Sequence, residues 1–455
     1  MTIGGKMRSI QAYVRIRRAA IALVCVLMIA TVGAPASSAA AAYPAPTGLN
    51  SKFQSETTIA LSWAAVTGAT SYRLQRADNA ALTGSSYYTI TGTTADVRGL
   101  KPDTTYYFQV RVIDSAGVGV SDYSPKIAVK TKPKLILPPI SNPLRVATYN
   151  ITCDYCFAGL PNELPWSGRK NAVVQTIVTQ KPDVLGVQEA SSARLKGDTS
   201  PTAPAQFEDL VQGLNAATVP YKLTNSKRNN CVVHTTPYQC VYQYQGASDG
   251  TKILYNSATV DLVSQGSLKL VTQPGASDRY FAWAILRQRS TNKSFFFGNT
   301  HLIDHMSDPS FFDLRQKQAS QIVATIAAKN TSKLPVIMVG DLNSNKWTSP
   351  SNAPYDVLTK AGYIDPLGNT YRNDFPSSGA TAEKTIRANF ESFNGFNRKA
   401  PARNNYGNGT YMDYIFTSSM RVAEWENVVK IDTSGNFVGT IPADHNMVRA
   451  DVQLP

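Results

Sequence analysis

Asn150, Glu189, His301, Asp341 with Asn343, Asp413, and Asp444 with His445 are the residues of this chain whose types could do chemistry together. His301 and His445 are two of only four histidines in 455 residues. An imidazole titrates near neutral pH and can take or give a proton there. Carboxylates and amide oxygens are hard donors, and one or two carboxylates suffice for Mg²⁺, which keeps several of its waters. Gathered in one place, such a set binds a hard cation and moves protons beside it. Each residue alone has an ordinary reading: Glu189 as a cap or surface charge, Asp413 as a turn residue, Asp444-His445 as a polar turn. Their shared position in the sequence pattern sets them apart.

That position is the end of an apolar run. Residues 145–150, 183–189, 294–301, 334–341, 412–416 and 447–452 read as strands, short and rich in β-branched and aromatic residues. The chemistry-bearing residues close the first four of them and open the last two. Helical periodicity covers 168–180 and 314–328. Strands alternating with helices make an α/β pattern, and strand ends that meet on one sheet edge are where such folds build sites. With β-rich stretches between, residues 144–455 are expected to form one domain.

The rest of the chain bounds the answer. At 43% hydrophobic and 17% charged residues, it is neither disordered nor fibrous. The net charge is +14. Residues 1–42 combine Lys6, Arg8, Arg15, Arg17 and Arg18 with a short apolar run and a small-residue stretch, which reads as a secretory signal peptide rather than a membrane anchor. Cys25 within the run lacks the preceding small residue of a lipoprotein site. Cleavage would leave a net charge of about +9, and residues 144–455 hold 30 basic and 25 acidic residues, a mild bias toward polyanions. The expected destination is extracellular. Four cysteines would remain, Cys153, Cys156, Cys231 and Cys240. Export favours two disulfides, with local pairing 153–156 and 231–240 preferred. The alternative is a zinc site adding His234, whose spacing does not follow the usual finger pattern.

Residues 43–132 show short alternating runs punctuated by Gly, Asp and Asn, the pattern of a β-sandwich of about seven strands. Trp63 and the Leu100-Lys101-Pro102-Asp103-Thr104-Thr105-Tyr106 segment resemble the core tryptophan and tyrosine corner of the fibronectin type III family. That resemblance implies a spacer or binding module for a cell-surface or extracellular polymer, without chemistry of its own. Residues 133–143 carry four prolines and read as an extended linker.

The second resemblance spans residues 144–455. Thr148-Tyr149-Asn150, Pro182 to Glu189, Asn299-Thr300-His301-Leu302, Gly340-Asp341-Leu342-Asn343, Met412-Asp413-Tyr414-Ile415 and Ala443-Asp444-His445 appear in the order of the endonuclease/exonuclease/phosphatase superfamily, which includes deoxyribonuclease I-like enzymes and bacterial sphingomyelinases. It implies a four-layer α/β/β/α sandwich. It also implies roles. Glu189 resembles the principal Mg²⁺ ligand, with Asn150 beside it and Asp444 near the metal; Mn²⁺ or Ca²⁺ are alternatives. His445 resembles the histidine that activates water, oriented by Asp413. His301 resembles a histidine that contacts the phosphate or aids the leaving group. Asp341 and Asn343 resemble the pair that positions nucleophile and scissile phosphate. The aromatic-Pro-Asn segment of apurinic endonucleases is absent at Thr300-His301-Leu302, against that branch. Arg279 and Arg315 are further phosphate candidates, against a solvated surface role. Ile303-Asp304-His305 fits no pattern.

The expected protein is thus a secreted, monomeric, Mg²⁺-dependent phosphodiester hydrolase acting on nucleic acid. The rivals are a sphingomyelinase-like phospholipase, for which Phe311-Phe312 is the candidate membrane-entry segment, a phosphomonoesterase, and a non-catalytic polymer-binding protein. A glycosidase needs two carboxylates but no paired histidines.

Overall fold

The computed structural model describes residues 43–134, 137–200, 202–236, 239–304, 308–368, 380–403 and 408–455, without the side chains of Phe53 and of residues 232–240. The signal-peptide reading of residues 1–42 lies outside the described residues.

Seven strands between Asn50 and Lys130 form a three-stranded and a four-stranded sheet. Along Thr105–Ile113, Tyr106, Phe108, Val110 and Val112 face inward, because successive side chains of a strand point to opposite faces. Trp63 is buried and meets Tyr72 edge-on at 5.6 Å. The Tyr106 hydroxyl accepts the Lys101 N–H at 2.8 Å, so the tyrosine corner is present.

Beyond residue 143 two larger sheets pack face to face. The seven-stranded sheet runs Tyr221–Leu223, Lys252–Asn256, Val184–Gln188, Leu144–Asn150, Met447–Gln453, Arg421–Val428, Ala382–Ile386. The five-stranded sheet runs Val260–Lys269, Tyr280–Gln288, Lys293–His301, Val336–Asp341, Asp413–Thr417. Helices Trp166–Gln180 and Gln206–Ala216 cover the outer face of the first, packing on Ala147, Tyr149, Leu185 and Val187. Helices Pro309–Lys329 and Ala353–Lys360 serve the second through Ile322, Ile326 and Leu358. This is the expected α/β/β/α sandwich.

Local signals explain the helices. Trp166, Arg169, Val173 and Ile177 recur at three- to four-residue spacing and are buried. The helix stops at Lys181, in the left-handed region, whose N–H returns to Ile177 O at 2.8 Å. The Pro309–Lys329 helix starts a turn and a half before the periodic stretch at 314–328, because Asp308 accepts the Ser310 N–H at 2.9 Å and Pro309 occupies the first position.

The sheets meet most closely under the site. Asn299 donates to the Val187 and Lys252 carbonyls at 2.9 and 2.8 Å and accepts from Gln188 Nε2 at 2.6 Å. This buried polar clamp fixes one sheet against the other. It needs a glycine opposite: a Cβ on Gly186 would lie 2.5 Å from Val339 Cγ2 and 2.7 Å from Asn299 Cγ. Gly186→Ala is therefore expected to destabilise the domain by about 1–3 kcal/mol, the usual cost of overpacking. A lowered Tm in thermal melts is the expected result; an unchanged Tm would show the sheets to be more loosely joined.

Candidate active site

Strand register assembles the site. On the five-stranded sheet His301 pairs with Asp341, and Asp341 pairs with Asp413. Three chemistry-bearing residues thus stand side by side on adjacent strands. On the facing sheet Asn150 pairs with Gln188, the residue before Glu189. The two edges meet where Asn150 Nδ2 donates to Glu189 Oε1 at 3.0 Å and to Asp341 Oδ2 at 3.1 Å. Asp444-His445 enters just before the Met447–Gln453 strand. All eight residues singled out in the sequence come together in one hydrogen-bonded constellation.

One end of it is a nest of oxygen donors. Glu189 takes a left-handed backbone, φ 57°, a costly conformation for a residue of this type. It is held there by the Cys153 N–H donating to Oε2 at 3.1 Å. Thr152 donates to Asp444 Oδ1 and accepts the Asp444 N–H. Burial pushes the Asp444 carboxyl above its ordinary range, Glu189 adds to the rise, and His445 opposes it. Glu189 and Asp444 supply carboxylate oxygens, and Asn150 an amide oxygen that accepts the Thr152 N–H at 3.1 Å while its Nδ2 faces Glu189; carboxylate and amide oxygens are the donors a hard divalent cation such as Mg²⁺ takes. A buried carboxyl such as Asp444, disfavoured as an anion, gains from such a cation. The residues present therefore fit the metal that the fold implies.

The other end handles protons. His445 Nδ1 lies 2.8 Å from Asp413 Oδ2, and both are buried. Burial disfavours the imidazolium, but Asp413 and Asp341 outweigh it and hold the His445 pKa well above its ordinary value. Asp341 Oδ2 is 3.7 Å from His445 Nε2 and 3.7 Å from His301 Nε2, so one carboxylate spans both imidazoles. Burial, and then the neighbouring Asp413, raise the Asp341 pKa. Asp341, Asp413 and His445 offer atoms within 4.8 Å of one another. The 2.8 Å imidazole–carboxylate bond lies within this cluster, whose atoms stand close enough to share either a proton or a cation.

His301 is neutral: burial, then the charges of Arg279 and His445, hold its pKa well below the ordinary value. Donors face both ring nitrogens, Arg279 Nη1 at 3.1 Å from Nδ1 and Asn343 Nδ2 at 2.9 Å from Nε2. A neutral imidazole has one acceptor nitrogen, so the ring accepts from one of the two at a time; Asn343 Nδ2 also donates to Leu302 O at 3.0 Å. Arg279, His301, Glu189 and Asp304 line a cleft of about 360 Å³. A hollow of about 720 Å³ lies behind the 153–156 turn, lined by Phe157, Trp166 and Lys196, away from the imidazoles.

The two candidate arginines separate. Arg279 belongs to the cleft. Arg315 is fully buried and donates to the Ile303 and Asp304 carbonyls at 3.1 and 2.7 Å; it is neither a phosphate contact nor a solvated side chain. Phe311 is buried with Ile303 and Leu314, which removes it as a membrane-entry residue. His305 lies outside the described residues. Cys153 and Cys156 are disulfide-bonded, so they do not hold zinc. Cys231 is also disulfide-bonded; the side chains of Cys240 and His234 lie outside those described.

Three supporting residues were missed. Arg169 is buried under the donor nest and donates to the Ile151, Thr152 and Pro442 carbonyls. Its signal was a charge at i−4 from Val173, on the apolar face of the helix. Gln206 Oε1 accepts the Asp154 and Ser191 N–H groups at 2.9 and 3.1 Å, and its Nε2 donates to Thr152 O at 2.9 Å. Phe393 meets the His445 ring edge-on at 5.1 Å. Neither of the last two left a mark in the sequence.

Comparison with known proteins agrees with this architecture. Residues 44–130 match the model of the fibronectin type III domain. A stretch of 104 residues is 39% identical to Chitinase A1 of Niallia circulans, covering 21% of this chain and 13% of that protein. Among solved structures, an endonuclease/exonuclease/phosphatase family protein from Bacteroides thetaiotaomicron is 18% identical, with TM-score 0.48, covering 68% of this chain and 98% of the other. Sphingomyelinase C from Streptomyces griseocarneus is 17% identical, with TM-score 0.43, covering 69% of this chain and all of the other. Residues 147–445 match the model of the endonuclease/exonuclease/phosphatase family, whose members are hydrolases acting on phosphoesters, and the chain belongs to that family.

Proposed function

We propose that this protein is a secreted, Mg²⁺-dependent phosphodiester hydrolase whose substrate is extracellular nucleic acid. The observation that carries the reading is the pairing of two groups across the sheet edges: the 2.8 Å His445–Asp413 bond and the Asn150, Glu189 and Asp444 oxygens.

A phosphodiester is an anion that repels hydroxide, so its hydrolysis needs charge neutralisation and an oriented water. Asn150, Glu189 and Asp444 would hold the metal. When bound, Mg²⁺ supplies charge neutralisation and polarisation of a phosphoryl oxygen. The remaining steps belong to the chain. Asp413 accepts the Nδ1 hydrogen of His445; once the imidazolium that Asp413 and Asp341 favour has lost its Nε2 proton, this bond fixes the tautomer with Nε2 free to take a proton, so activity should rise with pH. His445 removes that proton from water as its oxygen bonds to phosphorus. The bond from phosphorus to the leaving oxygen breaks as that oxygen takes a proton from solvent water, giving a phosphomonoester and an alcohol, and His445 afterwards returns its proton to solvent. Arg279, which lines the cleft, attracts the phosphoryl oxygens by its charge, and Asn343 and Arg279 hold His301 between them as a hydrogen-bonding partner. Asp341 holds Asn150 and keeps its carboxylate between the two imidazoles.

The test is an activity panel with Mg²⁺: duplex DNA, single-stranded DNA, RNA, sphingomyelin, inositol phosphates and a sugar phosphate. Cleavage of a polynucleotide is expected; cleavage of a phosphomonoester or sphingomyelin alone would overturn the nuclease reading.

The sandwich at residues 43–132 is assigned a binding role, since it holds no histidine or cysteine. Its deletion is expected to leave turnover of a small soluble diester within about twofold. A much slower fragment of residues 144–455 that is folded by circular dichroism would place part of the catalytic apparatus in the first domain.

A further inference from the structure

Two large aromatic side chains stand exposed on loops that carry site residues, Phe393 at 42% and Trp347 at 37% exposure. Both are mounted rigidly. Phe393 lies between Ser392, whose Oγ accepts the Met412 N–H at 3.0 Å, and Asn394, which is buried and donates to Ala443 O at 2.9 Å. Its ring leans edge-on against His445 while its outer side faces solvent. Trp347 follows Asn343 by four residues, in a turn closed by Asn345 Oδ1 accepting the Trp347 N–H at 2.8 Å and by Thr348 Oγ1 accepting the Asn345 N–H at 3.0 Å.

A cation joins the two. The Arg403 guanidinium stacks on the Trp347 indole at 5.0 Å, and Arg403 Nε lies 3.8 Å from Glu391, two residues before Phe393. Glu391 thus ties the Phe393 segment to the Arg403–Trp347 cation–π pair. Exposed aromatics on pinned backbones lose little entropy when a planar group stacks on them. Alternating aromatic faces and positive charge is the surface that unpaired polynucleotides recognise, through base stacking and phosphate attraction. A duplex keeps its bases stacked inside and has no free face to offer.

We propose that Phe393 and the Arg403-stacked Trp347 form a base-stacking track leading away from His445, which makes single-stranded polynucleotide the preferred substrate. This rests on the nuclease reading and names its substrate class. Phe393 contacts the nucleotide beside the scissile phosphate; Trp347 takes one further along the strand.

The test compares kcat/KM of the full chain for two single-stranded oligonucleotides with one phosphate backbone: one with all its bases, the other abasic at every position. The wild-type protein is expected to favour the base-bearing strand by at least about tenfold, on the scale of one stacked base. Trp347→Ala and Phe393→Ala should each shrink that ratio, mainly through KM. Trp347→Phe and Phe393→Tyr, which retain a ring, should restore it. Equal kcat/KM for the two strands in the wild type, or an unchanged ratio in both alanine variants, overturns the track while leaving the nuclease reading intact. Failure of the wild-type protein to cleave any polynucleotide overturns both.

Discussion

His445→Ala is expected to lower kcat at least ~10²-fold, the scale on which a general base contributes, and Asp413→Asn should do comparable damage. The reason lies in one hydrogen bond. His445 Nδ1 is 2.8 Å from Asp413 Oδ2, and burial of both removes competition from water. An asparagine at 413 can present an N–H where the carboxylate presented an acceptor. The imidazole would then be held in the wrong tautomer, with its free nitrogen facing away from the water. Neither residue is assigned to substrate binding, so KM should move little. A pair that acts as one unit is grossly non-additive. The double variant should therefore lose far less than the product of the single losses. Clean multiplication of the two losses in a folded double variant would show that they work independently.

Glu189→Gln is expected to abolish nearly all activity at ordinary Mg²⁺ concentration, by at least ~10²-fold, the scale of removing one charge-stabilising group. The substitution keeps the shape of the side chain and one oxygen, so the fold should survive. It removes the negative charge that Asn150 Nδ2 and the Cys153 N–H now serve at 3.0 and 3.1 Å. A glutamine amide placed there would point one N–H at a donor, so part of the nest would open as well. The loss should be partly recovered by raising Mg²⁺, because the defect lies in metal affinity. An active Glu189→Gln variant with an unshifted metal requirement would move the cation elsewhere, with the Asp341, Asp413 and His445 cluster as the next place to look.

Much of this site was legible because sheets obey register. An apolar run bounded by a polar residue marks a strand terminus, and on one sheet edge the last residue of a strand meets the last residue of a parallel neighbour and the first residue of an antiparallel one. That is how His301, Asp341 and Asp413 come to stand abreast. The Trp63 core and the Tyr106 corner were legible for a similar reason, since each answers a local need of a small sandwich. What stayed hidden depends on the approach of segments far apart in the chain. The Asn150 contact with Asp341 joins different sheets, 191 residues apart. Phe393 reaches His445 only through the bend of a loop. The left-handed backbone of Glu189 is imposed by its surroundings, because a glutamate has no intrinsic preference for it. Arg315 illustrates the opposite error, a charge that reads as surface but serves to tie down two buried carbonyls.

The account rests on a divalent cation held by Asn150, Glu189 and Asp444 beside a working imidazole. The most direct test strips the full-length protein with EDTA, removes the chelator, and follows cleavage of a single-stranded oligonucleotide as Mg²⁺ is titrated back. No detectable cleavage is expected before addition, followed by a saturable return of rate, with Glu189→Gln requiring more Mg²⁺ for a given rate. Full cleavage in the continued presence of excess EDTA would contradict it.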